Sequence, residues 1–247
     1  MQHILSFLAV GFLAAQFTTP LRADDSDQAR AVVDKAIKAA GGEEKLAKFK
    51  SRTWVSKGTY YGMGDGIQYT ANYALQAPDK FRFEVEGGFM TMVVDGDKGW
   101  MQMMGETREM NKDELAQQKE ERYAFAVSSL TPLKGGDYKL SPLGETKVAD
   151  KPAIGVKVSH KDHQDVNLYF DKDSGLLVKM ERKTKAQEEG NKEVTQEDIY
   201  SDYQDVGGAK MPMKLTILRD GKKYVEGEES DVKAVDKHDD KTFAKPS

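Results

Sequence analysis

The chain has 247 residues, a formal net charge of −4 at pH 7 and no cysteine. Without cysteine it forms no disulfide and has no residue for a lipid anchor after a signal sequence. Its mild acidity argues against a nucleic-acid-binding protein, which needs a concentrated basic face.

Residues 1–23 have the pattern of a secretory signal peptide. An apolar stretch from Ile4 to Phe17 is followed by Pro20 and by a short segment that ends at Ala23. Because the stretch is too short to span a bilayer, we expect cleavage after Ala23 and release into the periplasm, without stable membrane insertion of the mature chain. The alternative is a buried N-terminal helix.

Two helices are predicted in the mature chain. Apolar residues recur at helical spacing between Asp27 and Phe49, and Gly41 interrupts them. The second helix begins midway along the chain, where Asn111 is a suitable N-cap. Its predicted apolar face carries Tyr123, Ala126, Val127 and Leu130.

From Ser51 onward, apolar residues recur at every second position, as in half-buried strands. Short turns rich in glycine and aspartate separate these segments and predict antiparallel hairpins. About twelve candidate strands follow one another without a linker or a repeat. This series excludes a parallel α/β sheet and predicts a single domain over residues 24–247, built on an antiparallel sheet that curls into a barrel or half-barrel.

The strands between Phe81 and Met104 are unusually rich in methionine. Five of the eleven methionines fall in this segment, several of them at alternate positions. Strands usually prefer β-branched and aromatic residues, whereas methionine is flexible and suits surfaces that adapt to varied apolar partners. The segment therefore indicates an apolar binding surface.

The alternation assigns side chains to the two faces of the sheet. On the convex face we expect Arg82, Glu84 and Glu86. On the concave face, the candidate residues for contact with an apolar ligand are Tyr69, Tyr73, Phe81, Phe83, Met90, Met92 and Met213. The alternative is that these side chains only fill a packed barrel core. We expect the midway helix to cover the mouth as a mobile lid. The lid residues are Tyr123, Val127 and Leu130.

No motif predicts catalysis, a metal site or a cofactor. The segment HKDHQD, from His160 to Asp165, contains metal-binding residue types but occupies a predicted turn, where four well-placed ligands seldom occur. The segments DGDKG and DKDSG lack the spacing of a calcium loop, and GMGDG joins two strands instead of opening a helix. No serine lies in a nucleophile motif with an assignable histidine and carboxylate. We therefore expect no catalytic residues, no metal and no cofactor.

Four segments carry a family resemblance: VVDGDKGW, DVNLYFDKDSGLLVKMER, MPMKLTILRDGKK and the closing VKAVDKHDDKTFAKP. With their carboxylate-rich turn, Pro-x-Lys strand and terminal Asp-Asp-x-x-Phe, they resemble periplasmic outer-membrane lipoprotein-sorting proteins of the LolA-like group. The resemblance implies a mainly β fold with accessory helices (α+β). This would be an antiparallel half-barrel of about 11–12 strands with an apolar concave face that is covered by helices and holds acyl chains.

The expected function is that of a periplasmic carrier or chaperone that binds lipid or lipoprotein acyl chains without covalent chemistry. Exposing an acyl chain to water costs roughly 0.8 kcal/mol per CH₂, so a carrier must supply an apolar wall. One alternative is an envelope sensor that uses the same lipid-binding fold and signals to a membrane protein partner. Another is an enzyme acting on envelope lipid or glycan, for which a catalytic constellation is missing.

Overall fold

The computed structural model of the protein describes residues 23–186 and 189–247. Residues 1–22, which carry most of the predicted signal peptide, lie outside the described residues. Within the described ranges, no helix combines the length and the apolar character needed to cross a membrane.

Three α-helices form where the sequence predicts helical segments. They are α1 (Ala23–Ala39), the short α2 (Glu43–Ala47), which continues into a 3-10 turn at Lys48–Lys50, and α3 (Lys112–Ser128). The glycine between α1 and α2, Gly41, has φ of 111°. A Cβ atom there would lie 2.2 Å from the carbonyl oxygen of Gly208, so both the backbone conformation and the space require glycine.

Helix α3 begins at a capping box, which confirms the predicted N-cap. The side-chain oxygen of Asn111 accepts hydrogen bonds from the backbone N–H groups of Asp113 and Glu114, both at 3.0 Å. In return, the backbone N–H of Asn111 donates to the Glu114 carboxylate at 2.8 Å. The cap satisfies donors that would otherwise be unpaired and defines the start of the helix.

The described residues form thirteen strands in one sheet. They are β1 Ser51–Tyr60, β2 Ile67–Gln76, β3 Lys80–Val85, β4 Met90–Asp95, β5 Lys98–Met103, β6 Glu106–Glu109, β7 Lys139–Val148, β8 Lys151–Ser159, β9 Val166–Asp171, β10 Leu177–Ala186, β11 Lys192–Val206, β12 Ala209–Arg219 and β13 Lys222–Ala234.

The sheet is antiparallel and open, which confirms the predicted half-barrel. The strand order is β6-β5-β4-β3-β2-β1-β13-β12-β11-β10-β9-β8-β7. The last strand therefore joins the two halves by pairing with β1 on one side and β12 on the other. The strand that the sequence analysis missed is β6, whose four residues, ETRE, are polar and lie at the edge. A short charged strand is typical of a protected sheet edge and carries no apolar alternation.

The main core lies between the helices and strands β7–β10. Helix α1 contributes Ala29, Val33, Ala36 and Ile37 to this core. The strands contribute Leu140, Val156, Val158, Val166, Leu168, Phe170 and Met180. In this half of the sheet the concave face is therefore filled by packed side chains.

The C-terminal segment covers part of the convex face. Phe243 packs with Ala74 and Val93, and Trp100 lies against the same cluster. A ring nitrogen of His238 lies 2.8 Å from the carbonyl oxygen of Leu75. The closing segment of the chain is thus part of the fold and covers the back of strands β2, β4 and β5.

Candidate functional site

A set of aromatic and methionine side chains on strands β1–β5 lies on the face that is turned toward the helices. Phe83 is the register partner of Tyr73 on one side and of Met92 on the other. Met92 pairs in turn with Met101, and Tyr73 with Trp54. The Trp54 ring stacks against Phe125 of α3 with a centroid distance of 6.0 Å. We define as the trough the set Trp54, Tyr69, Tyr73, Phe81, Phe83, Met90, Met92 and Met101.

The register confirms the predicted division between the two faces. Arg82 and Glu84 pair with Val93 and Thr91, on the face opposite Phe83. The third predicted convex residue, Glu86, lies in a 3-10 turn at Glu86–Gly88 instead of a strand. Six of the seven predicted ligand-contacting residues therefore come together in the trough.

The trough residues are half-buried, in contrast to the packed half of the same sheet. All side chains of the trough retain partial exposure, whereas Val156 and Leu168, on the same concave side, are fully buried. At the outer end of the trough, Met103 is 44% exposed. Apolar side chains that are aligned yet only partly covered are typical of a surface that receives an apolar partner.

One part of the trough is aromatic. The Trp54 and Tyr73 rings stack at 4.7 Å, and Tyr73 also contacts Phe83 at 5.1 Å and Phe81 at 6.1 Å between ring centroids. Aromatic rings have few rotatable bonds, whereas the neighbouring methionines Met92 and Met101 are flexible. The trough thus combines a rigid aromatic region with an adaptable region.

Met213 lies apart from the trough. Its side chain is buried in a separate cluster with Phe49, Ala209 and Met211. These residues pack under the short helix α2 and the 3-10 turn that follows it, with Leu46 at the margin. Alternation along β12 placed Met213 on the concave side, but it could not show that another segment covers this position.

Two predicted lid residues, Tyr123 and Val127, lie on the core side of α3, and the third, Leu130, follows the end of this helix. Tyr123, Val127 and Leu130 are buried among residues of α1 and strands β7–β10. On the trough side, α3 presents Phe125 to Trp54. At its first turn it presents Leu115, which lies 2.8 Å from the position of a Cβ added at Gly99. Helix α3 therefore crosses the concave face, and its movement as a lid stays a prediction.

A buried polar network ties α3 to the sheet. The Glu121 carboxylate accepts hydrogen bonds from both terminal nitrogens of Arg182, and the Thr184 hydroxyl donates to it at 3.1 Å. Nearby, the Gln196 amide donates to Asp198 at 2.9 Å. Burial raises the pKa of Asp198, and the Arg182 charge opposes this shift. Opening α3 would have to separate Glu121 from Arg182, which removes the hydrogen-bonded carboxylate partner of a buried charge.

A second group of polar side chains lies beside the aromatic part of the trough. The Arg52 guanidinium lies over the Trp54 ring at 5.1 Å and over the Phe125 ring at 4.8 Å. The Ser56 hydroxyl is 3.1 Å from the Tyr69 hydroxyl. Ser56 is also the register partner of Glu229 on β13. We call Arg52, Ser56, Tyr69 and Glu229 the polar centre.

Burial changes the titration of the polar centre. It raises the pKa of the Glu229 carboxyl to about 7, although the Ser56 hydroxyl and the Arg52 charge act in the opposite direction. Burial also lowers the pKa of Arg52 to about 10, so this residue stays charged at neutral pH. Neither residue is predicted from the sequence, and Glu229 stands in a run of acidic residues that is typical of a solvated surface.

The histidines of the HKDHQD segment form ring contacts instead of a metal site. The His163 ring stacks on Tyr123 at 4.0 Å, and its Nδ1 atom lies 2.9 Å from the Glu120 carboxylate. The His160 ring packs against Tyr138 at 4.9 Å. Within residues 23–186 and 189–247, no group of three or more His, Cys, Asp or Glu side chains is arranged to hold a metal ion.

A separate groove of about 470 Å³ opens on the convex face. Its lining comprises Thr53, Val55, Asn72, Ala74, Arg82, Asp231 and Lys233, together with the trough residues Trp54 and Tyr73. Thr53, Val55, Asn72 and Ala74 alternate with Trp54 and Tyr73 along β1 and β2, so the side chains of these four residues lie on the side of the sheet opposite the trough. The mixed polar lining makes the groove a weaker candidate for an apolar ligand than the trough.

The fold matches several solved structures at low sequence identity. No protein-family model and no curated protein sequence matches the chain. A LolA superfamily protein from Nitrosomonas europaea superposes with a TM-score of 0.57 at 14% identity, covering 88% of this chain and 97% of that one. The chain has a LolA-like fold. The match extends over nearly the full length of that structure.

Two further structures support the LolA-like fold. A DUF1329 family protein from Desulfovibrio piger has a TM-score of 0.55 at 10% identity, covering 87% of this chain and 96% of that one. A domain from Vibrio parahaemolyticus that carries the name of an outer membrane lipoprotein-sorting protein has a TM-score of 0.55 at 9% identity. The match covers 86% of this chain and 97% of that one. At these identities the likeness establishes the fold, and the function must be argued from the side chains of this chain.

Proposed function

We propose that the protein is a periplasmic carrier that binds lipid or lipoprotein acyl chains in the trough. The observation that carries this proposal is the contrast along one concave face. The helices cover the part of this face that belongs to β7–β10. On the part that belongs to β1–β5, the aromatic and methionine side chains of the trough stay partly exposed. An acyl chain lying on this second part would complete the coverage that the helices provide for the first.

The energetics favour this occupant over a polar one. Each CH₂ group that leaves water gains roughly 0.8 kcal/mol, so a chain of ordinary length offsets the loss of freedom on binding. Flexible methionines allow the wall to follow chains of different length and saturation. Covalent chemistry is not required for this role, and the Ser56 hydroxyl beside the trough pairs with the Tyr69 hydroxyl.

Periplasmic residence is part of the proposal. It rests on the signal-peptide pattern of residues 1–23 and agrees with the LolA-like fold. A carrier between two membranes needs an apolar site that is shielded from water during transit, which a trough beneath a helix offers. The predicted movement of α3 would open and close this shield.

The experiment is recovery of lipid with the protein. The full chain, purified from the periplasm of the producing cells, is examined by native mass spectrometry and lipid extraction. We expect copurifying acyl lipid with the natural protein and its loss in Phe83→Lys, which places a charge within the trough. The matched control is Leu143→Lys, because Leu143 is an exposed apolar residue of β7 outside the trough. Absence of lipid, together with a stoichiometric protein partner, would overturn the carrier and favour a sensor.

A further inference from the structure

The polar centre contains a cation without a hydrogen-bonded partner. Arg52 makes ring contacts with Trp54 and Phe125, and among the described residues no side chain or carbonyl accepts a hydrogen bond from it. Guanidinium groups at partly buried sites usually bind carboxylates or phosphates through two parallel hydrogen bonds. The Arg52 guanidinium adjoins the Trp54 ring of the trough, and the residue retains partial exposure, which places it within reach of a ligand in the trough.

The polar centre also contains an unpaired carboxyl oxygen. The Oε2 atom of Glu229 is buried and has no hydrogen-bond partner within the part of the chain that the structure describes. The neighbouring Gly227 leaves room for the Ser56 and Tyr69 hydroxyls beside Glu229, because a Cβ atom there would lie 2.8 Å from both hydroxyl oxygens. A buried oxygen without a partner is costly, and a ligand that supplies the partner removes this cost.

We propose that Arg52 and Glu229 form a head-group site that binds the carboxylate of a fatty acid whose alkyl chain lies in the trough. This proposal rests on the proposed function of the trough and names the ligand class. The carboxylate accepts hydrogen bonds from the Arg52 guanidinium. Glu229 takes part in its protonated form, in which its O–H group donates to the second carboxylate oxygen. The adjoining rings of Trp54 and Tyr73 then receive the first methylene groups of the chain.

The protonation of Glu229 makes fatty-acid affinity dependent on pH. Among the described residues, the titratable groups around the Arg52 and Glu229 pair are Tyr69 and Tyr73 from β2 and Tyr200 from β11. Burial raises the pKa of each of these tyrosines, so they stay neutral. Helix α3 contributes the uncharged Phe125. As pH rises through the Glu229 pKa of about 7, a second negative charge appears beside the ligand and weakens its binding.

The experiment compares dodecanoic acid with dodecan-1-ol by calorimetry on the full chain, one pH unit below and one above the Glu229 pKa of about 7. We expect the acid to bind about tenfold more weakly at the higher pH, the limit for one linked proton over this range, and the alcohol to bind equally at both. In Glu229→Gln the acid should bind equally well at both pH values. Arg52→Leu should lose the acid and keep the alcohol.

The control is Arg82→Gln, because Arg82 lies on the convex face and pairs with Glu84; it should behave as the natural protein. If both ligands bind with equal affinity at both pH values, the proposed head-group site is refuted, whereas the proposed binding of alkyl chains in the trough is supported. If neither ligand binds, the proposed function fails. If Arg52→Leu does not fold, the pH profiles of the natural protein and Glu229→Gln still decide, since a flat profile in the natural protein overturns the proposal.

Discussion

Replacing Met90 and Met92 together with glutamate tests whether the trough is a binding wall or a packed core. Both side chains are half-buried on the concave face. Full burial of a methionine side chain contributes about 1.5–3 kcal/mol of hydrophobic free energy. Because these side chains are half-buried, roughly half of this is already gained in the ligand-free protein. A ligand that covers both residues therefore gains about 2 kcal/mol of binding free energy from them. The variant loses this gain, and covering its two carboxylates adds a desolvation cost. We expect affinity for a fluorescent fatty-acid probe to fall about 30-fold or more.

The same variant should remain folded. Two carboxylates in an open trough stay hydrated, so we expect a loss of about 1–2 kcal/mol in the free energy of unfolding, against a total of about 5–15 kcal/mol. Val156→Glu provides the contrast, because Val156 is 0% exposed on the packed half of the same face, and an unpaired charge there should unfold the protein.

Met63→Glu is the matched control, since Met63 is 69% exposed in the β1–β2 turn. It should leave probe binding and thermal melting unchanged. Two results would refute the reasoning. If the double variant of Met90 and Met92 binds the probe as the natural protein does, the trough is not the site. If it fails to fold while Met63→Glu folds, these methionines are sealed core.

Three further variants probe the frame of the site. Because burial raises the folded-state pKa of Glu229 from 4.5 to about 7, stability should fall as pH rises through this interval, and Glu229→Gln should be about 3 kcal/mol more stable than the natural protein well above pH 7 in chemical denaturation. Glu121→Ala leaves Arg182 without its carboxylate partner and should cost about 3–5 kcal/mol, with faster hydrogen exchange in α3; unchanged exchange would contradict the anchoring of α3. Gly41→Ala should lower the melting temperature, since its Cβ would meet the carbonyl of Gly208.

Local patterns in the sequence determined most of the fold. The alternation from Phe81 to Met92 predicts both the strands and the face on which each side chain lies, because a strand offers only two directions to its side chains. The N-cap at Asn111 likewise depends on residues within one helical turn, and the observed capping box follows from them. The edge strand β6 escaped prediction, since four polar residues carry no periodic signal.

Long-range packing decided which concave residues are covered. Met213 and Met92 have the same alternating context in the sequence, yet Met213 lies in a separate buried cluster with Phe49, and Met92 stays partly exposed. Tyr123 and Phe125, two positions apart on α3, contribute to the core and to the trough respectively. The coverage of a side chain depends on segments that are distant in sequence, so no local pattern contains it.

The inward position of the Glu229 carboxyl in the polar centre likewise cannot be predicted from local sequence. A register shift between Thr53 and Val55 adjusts the alignment of β1 with β13 and brings Ser56 opposite Glu229. In sequence, Glu229 belongs to an acidic run, and nothing distinguishes it from the glutamates beside it. Only the pairing of the first strand with the last turns this carboxyl inward and removes water from it, and desolvation is a property of the assembled fold.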